Sequence, residues 1–209
     1  MAEIPHIVSA TIITKTWKYG KHMEGRKKMS SISIKKVSIT KVGTQAVVNA
    51  ANEQLMQGGG VCGHIFIAAG SRKLQDACDK IGFCNTGDAV ITPGFELCDH
   101  IIHAVGPIYI NGLENEPQML YNCYKRSLSL CRENDIHSVG FPLISAGIFG
   151  YPTNKAWQKA LQSCNDWLKK NDDYDIDIIF AVIDDEVYNK GINEARDLGI
   201  VIKDGKDEL

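Results

Sequence analysis

No stretch of this 209-residue chain stays apolar long enough to span a bilayer, which argues against a membrane-spanning helix within it. Its first residues also lack the unbroken apolar core of a secretory leader, because Thr14, Lys15, Thr16 and Lys18 interrupt it. The expected location is therefore the cytoplasm. The last four residues, Lys206-Asp207-Glu208-Leu209, spell a luminal retention signal, but that address is read only on proteins in the secretory route, so here it reads as a polar tail. The seven cysteines are odd in number and none form a CxxC pair, which speaks against a disulfide framework and against a zinc site. No metal and no cofactor are expected. Strong net charge is missing too, since the total is −2. That figure conceals +6 over residues 1 to 36 and −8 over the remainder. Only Gly25 to Lys28, with Lys35 and Lys36, approaches a basic cluster, and such a stretch is ordinarily a solvated segment, so nucleic acid is not an expected partner. Internal repeats, low-complexity tracts and linkers are also absent. At 44% hydrophobic residues, one α/β domain is the natural expectation.

The most informative stretch runs from Ala46 to Gly70, AVVNAANEQLMQGGGVCGHIFIAAG. A short apolar strand enters an Asn-rich turn, three glycines follow, and an apolar helix begins at once. Consecutive glycines are tolerated where φ is positive or where something approaches the backbone closely. Between a strand and a helix N-terminus they describe an anion site, with bare N–H groups and the positive end of the helix dipole turned outward.

Short segments rich in Ile and Val read as buried strands at Ile32 to Ile39, Ala46 to Val48, Asp88 to Thr92, Ile101 to Val105, Ser138 to Pro142 and Ile176 to Ile183. Helical periods lie between them. Leu120, Tyr124, Ser127, Leu128 and Cys131 share one face, as do Trp157, Leu161, Cys164 and Leu168 after a Thr153 cap. A last helix near Glu186 to Leu198 precedes a terminal strand near Ile200 to Ile202, and Ile7 to Trp17 alternates weakly, as an edge strand would. In such sheets ligands collect beyond the carboxyl ends of the strands. A second glycine-bearing loop, Pro142 to Pro152, therefore joins Asn49 to Gly60 as a candidate, and two such loops on one rim can grip a diphosphate from both sides.

These segments resemble the macrodomain family of ADP-ribose-binding modules. The matching pieces are Val-Val-Asn-Ala-Ala-Asn at 47–52, Gly-Gly-Gly-Val at 58–61, Ala-Ala-Gly at 68–70, Thr-Gly-Asp-Ala-Val-Ile-Thr at 86–92, Ile-Ile-His-Ala-Val-Gly-Pro at 101–107 and Phe-Pro-Leu-Ile-Ser-Ala-Gly-Ile-Phe-Gly-Tyr-Pro at 141–152. The resemblance implies a three-layer α/β/α sandwich with a central mixed, mostly parallel sheet over residues 31–205, preceded by an extension at 1–30 and followed by a tail at 206–209. It implies a first phosphate loop at Gly58, Gly59, Gly60 and Val61, and a second at Ser145, Ala146, Gly147, Ile148 and Phe149. Asn52 would reach the distal ribose, with Phe149 alongside it, while Asn49 ties down the turn. Adenine would lie near Ser38 and Ile39. Backbone amides can hold a diphosphate without Lys or Arg, and a carboxamide can both donate to and accept from ribose hydroxyls.

Three departures from the family pattern stand out. Val37-Ser38-Ile39-Thr40 replaces the common Gly-Asp-Ile-Thr, which weakens the charge-assisted contact to the adenine amino group. Ile183 stands where an aromatic often flanks the nucleoside, with Phe180 and Tyr188 close in sequence. Cys62 replaces the Asp that MacroD-type hydrolases carry after Gly-Gly-Gly-Val, and Phe66 replaces their His. A neutral thiol is a poor base for water, so Cys62 is either a nucleophile or a small residue filling the place of the Asp; His64, two places along the helix, is expected to point elsewhere. His103 reads as a hydrogen-bonded core residue, and Cys84, Cys98, Cys123, Cys131 and Cys164 as small hydrophobes on strands and helix faces. Three functions stay open. The chain would weakly hydrolyse ADP-ribosyl esters or O-acyl-ADP-ribose, or read ADP-ribose on a mono-ADP-ribosylated protein without cleaving it, or, third, associate with nucleic acid.

Overall fold

The computed structural model describes residues 30–203, and the segment expected as an edge strand at Ile7 to Trp17 lies outside them. Six strands form one sheet in the order β1-β6-β5-β2-β4-β3. They are β1 (Ser31–Lys36), β2 (Ala46–Ala51), β3 (Ala89–Pro93), β4 (His100–Val105), β5 (Ser138–Phe141) and β6 (Asp177–Val182). Every pairing is parallel except β3 with β4 at one edge. Five helices cover it: α1 (Gly60–Ala69), α2 (Ser71–Ile81), α3 (Glu116–Glu133), α4 (Thr153–Lys170) and α5 (Asp185–Asp197). The mixed, mostly parallel sheet between helical layers is the architecture expected.

Side-chain alternation along the strands builds two cores. Ala46, Val48, Ile102, Ala104, Ile178 and Phe180 pack against α3, α4 and α5. Val47, Ala51, Ile101, Val105 and Ala181 face α1 and α2 on the other side, with Leu55, Phe66, Leu74 and Cys78. Both faces of the central strands are therefore dry, which is why these segments read as continuous apolar runs.

Several boundaries move. β1 stops at Lys36, and Ile39–Lys41 is a short 3-10 helix whose Ile39 is buried. β2 runs three residues further than expected, through Asn49 to Ala51. Thr153 is the first residue of α4 rather than its cap, a place taken by Pro152. No strand forms at Ile200 to Ile202. A single bond from the Lys203 N–H to the Ile32 carbonyl, 2.8 Å, holds that segment beside β1. Cys84 and Cys98 sit in connecting turns rather than on strands or helix faces, yet both are packed, and burial pushes their thiols up to about 11. Helix α2 is not announced by the periodicity of the sequence. Only Leu74 and Cys78 of α2 are buried, and i, i+4 is the least an amphipathic helix can show.

Among the described residues no helix is long and apolar enough to cross a membrane, and no three His, Cys, Asp or Glu side chains converge on a point where a metal could sit.

Candidate ligand cleft

The carboxyl ends of β1, β6, β5 and β2 share one edge of the sheet, and a cavity of about 690 Å³ opens there. That volume suits a ligand of nucleotide size. Every residue named from the sequence as a site candidate lines it: Ser38, Ile39, Asn52, Gly58, Gly59, Gly60, Val61, Cys62, Ser145, Ala146, Gly147, Ile148 and Phe149. A second depression, about 660 Å³, lies between the start of α3 and α4 around Gln118, Tyr121, Lys159 and Asp166. Neither glycine loop reaches it, and its Tyr121 hydroxyl already donates to Asp166 at 3.0 Å.

The first loop is closed by its own side chains. Asn52 donates from Nδ2 to the Met56 carbonyl (2.8 Å) and accepts the Met56 N–H at Oδ1 (3.0 Å). The turn-tying role expected of Asn49 thus belongs to Asn52. Asn49 is instead a buried strand residue, whose Nδ2 lies 3.2 Å from His103 Nδ1. Asn52 keeps one N–H and one lone pair for another partner. Cys62 tightens the same turn: its buried Sγ accepts the Gly58 N–H at 3.4 Å and lies 4.0 Å from the Met56 carbonyl. Gly63 is required here, because a Cβ on it would sit 2.8 Å from the Gly58 carbonyl oxygen.

His64 does not point away. It lines the cavity at the rim, held over the start of α1 by an Nδ1 contact of 2.8 Å to the Gly60 carbonyl. Phe66, two residues on, is wholly buried and meets His103 edge-on at 6.3 Å. His103 is a core residue, as expected, with Nε2 3.0 Å from the Thr92 hydroxyl.

The second loop is supported from below. The Tyr124 hydroxyl accepts the Ile144 N–H (2.9 Å), the Ser145 carbonyl accepts from Tyr151 (3.0 Å), and the Phe149 carbonyl accepts from Tyr109 (2.9 Å). Ser145 holds φ at 64°, a left-handed conformation that non-glycine residues adopt mainly where a site demands it. Its hydroxyl is buried with no partner among the described residues.

The two loops approach each other across the cleft. A Cβ on Gly59 would lie 3.8 Å from the Ile148 side chain. Among the described residues, nothing accepts from the N–H groups of Gly59, Gly60 and Val61 on one side or of Gly147, Ile148 and Phe149 on the other. Amides left without a partner among the described residues on facing loops, with the N-terminus of α1 behind one of them, form the kind of arrangement that suits an anion.

At the other end the walls are Val37, Ile39, Ala181, Val182, Ile183 and Val187. Ile183 is 78% exposed and is the side chain that flanks the opening. Phe180 is buried in an aromatic cluster with Trp157 (5.1 Å) and Phe141 (5.7 Å), and neither it nor Tyr188 lines the cavity. Two lining residues escaped the sequence reading, Asp184 and Val187. Asp184 caps α5 by accepting the Val187 N–H at 2.9 Å. The acidic start of that helix was a visible signal, but only the sheet order places it beside β1.

The Macro domain family model matches residues 48–160. The chain is 42% identical to the ADP-ribose glycohydrolase MACROD2 of Xenopus laevis over 85% of its own length, and 45% identical to human MACROD2 over 78%. It spans about two-fifths of those relatives, 42% and 39% of their lengths. Among solved structures it is similar to the Oceanobacillus iheyensis macrodomain with ADP, with 35% identity and a TM-score of 0.75 over 79% of this chain and 90% of that one. The Trypanosoma brucei macrodomain in complex with ADP-ribose is 32% identical with a TM-score of 0.72, over 78% and 68%. The chain belongs to the Macro domain family.

Proposed function

We propose that this chain binds ADP-ribose, free or carried on a protein, with the diphosphate between the Gly58–Val61 and Ser145–Phe149 loops and the distal ribose beside Asn52 and Phe149. The observation that carries this reading is the set of six amides, unpaired among the described residues, on two loops that approach each other at Gly59 and Ile148. Those donors suit a ligand with two negative phosphates, and the apolar slot between the ends of β1 and β6 suits a flat base. Relatives named for ADP-ribose hydrolysis and neighbours holding ADP or ADP-ribose support the choice of nucleotide.

As to chemistry, the reading is a binder with slow hydrolysis of ADP-ribosyl esters or O-acyl-ADP-ribose at most. The Sγ of Cys62 is buried and engaged with the Gly58–Met56 turn, so it neither activates water nor stands free to attack. Any turnover would rest on Asn52 orienting the ribose and on the substrate's own phosphate taking the proton from water. Titration calorimetry with ADP-ribose, ADP and ribose-5-phosphate tests the binding. The first two should bind and Gly59→Glu should abolish it, because at Gly59 (φ −85°) the new side chain is sterically tolerated and places a carboxylate between the loops. Unchanged affinity in Gly59→Glu would overturn the phosphate assignment.

A further inference from the structure

The parallel pairing of β1 with β6 ends at the rung Lys36 opposite Val182, followed by one more bond from the Val37 N–H to the Val182 carbonyl, 3.1 Å. Ser38 and Asp184 each stand two residues beyond that rung, past the ends of these neighbouring strands, and both line the apolar end of the cleft. Their polar groups are not equally available. The Ser38 hydroxyl is paired with the Thr40 hydroxyl at 3.0 Å. Asp184 spends one oxygen on the Val187 N–H, and among the described residues nothing meets the other. Lys36, the cation at the end of β1, pairs with Asp185, and among the described residues no cation pairs with Asp184.

A carboxylate oxygen can only accept. Set at the mouth of a slot walled by Val37, Ile39, Val182, Ile183 and Val187, it favours a flat ring that brings an N–H group and disfavours one that brings a carbonyl oxygen. We propose that Asp184 is the residue that selects the base, accepting from the exocyclic amino group of an aminopurine nucleotide and supplying the charged acceptor that the Ser38 hydroxyl is not. The inference rests on the nucleotide-binding reading above and adds to it a specificity.

Asp184→Asn isolates the effect. The carboxamide oxygen can still cap α5, while Nδ2 replaces the free oxygen and turns an acceptor into a donor. Calorimetry would compare ADP-ribose with its hypoxanthine counterpart, inosine diphosphate ribose, in which a keto oxygen replaces the amino group. The parent should prefer the amino form by about tenfold, the scale of one hydrogen bond to a charged acceptor. Asp184→Asn should level or invert that ratio. Asp184→Ser, which also caps but reaches less far, should lose the preference without inverting it. Equal binding of the two nucleotides by the parent, or an unchanged ratio in Asp184→Asn, overturns the inference while leaving the diphosphate site standing. If the parent binds neither nucleotide, the reading of the cleft falls and this inference falls with it.

Discussion

Asn49 on β2 and His103 on β4 face each other at the same rung of the sheet, Nδ2 to Nδ1 at 3.2 Å, beneath the layer that carries the first glycine loop. The pair is buried, and the His103 ring is closed on its other side by Thr92 at 3.0 Å. Burial lowers the His103 pKa from 6.5 to about 4, so the ring is neutral, accepts from Asn49 at Nδ1 and donates to Thr92 from Nε2.

A pH dependence of stability follows. The folded pKa lies below the unfolded one, so this contribution is complete above pH 6.5 and is lost as pH falls toward 4, where the unfolded chain binds the extra proton. The scale is about 3 kcal/mol across that window. His137 acts in the opposite sense: a bond to the Asp175 carbonyl raises its pKa, so its contribution is full below the ordinary value and fades as pH rises. Urea midpoints at pH 7.5 and 5.0 should fall on acidification in a His137→Asn background. A His103→Gln variant in that background should flatten the response. An equally steep fall without His103 would reassign the effect to other groups.

Cys62→Ala should change ADP-ribose affinity by less than about 1 kcal/mol, because hydrogen bonds to sulfur are weak. It should likewise leave any hydrolysis of mono-ADP-ribosylated Glu or Asp unchanged, while Cys62→Asp should raise the rate by putting a carboxylate near Asn52. The three proteins compared on one modified substrate give the answer. Brisk parental turnover that vanishes in Cys62→Ala would mark the thiol as a nucleophile.

Glu116, at the start of α3, gathers the loop before it. Its buried carboxylate accepts from Ile110, Asn111 and Gly112 at one oxygen, 3.1–3.2 Å, and from Glu114 at the other, 2.6 Å. These bonds outweigh desolvation and hold its pKa at about 2. Glu116→Gln would set an amide donor against at least one of those N–H groups. Hydrogen exchange should become fast over Ile110 to Glu114 while the sheet stays protected; unchanged exchange there would mean that the carboxylate does not hold the loop.

Gly191 lies where α5 crosses Trp157. A Cβ there would come within 2.7 Å of the indole, which is held in place by its Nε1 bond to the Val187 carbonyl at 2.9 Å. Gly191→Ala gains about 1 kcal/mol of helix propensity and loses about 1–3 kcal/mol to overpacking. Thermal unfolding should show net destabilisation. A more stable variant would mean the ring moves aside freely.

Much of the molecule was legible as a string of residues. The strands were visible because both faces of the central sheet are buried, so Ile101 to Val105 and Ile176 to Ile183 read as mostly apolar runs, each interrupted once, by His103 and by Asp177. The two loops were visible because glycines between a strand and a helix have few other uses. What residue order could not settle depended on neighbours distant in the chain. Asn49 and Asn52 are chemically alike three residues apart, and only the length of β2 puts the first against His103 and the second at the turn. Helix α2 shows just Leu74 and Cys78 to the core, too short a stripe to announce itself. Residue chemistry and local pattern thus determined the fold class and the two glycine-bearing loops, since such a turn depends mainly on its own residues. Strand order decided which side chains share the cleft. It brings β6 between β1 and β5 and so sets Asp184 beside Ser38, a juxtaposition across 146 residues that no local preference encodes.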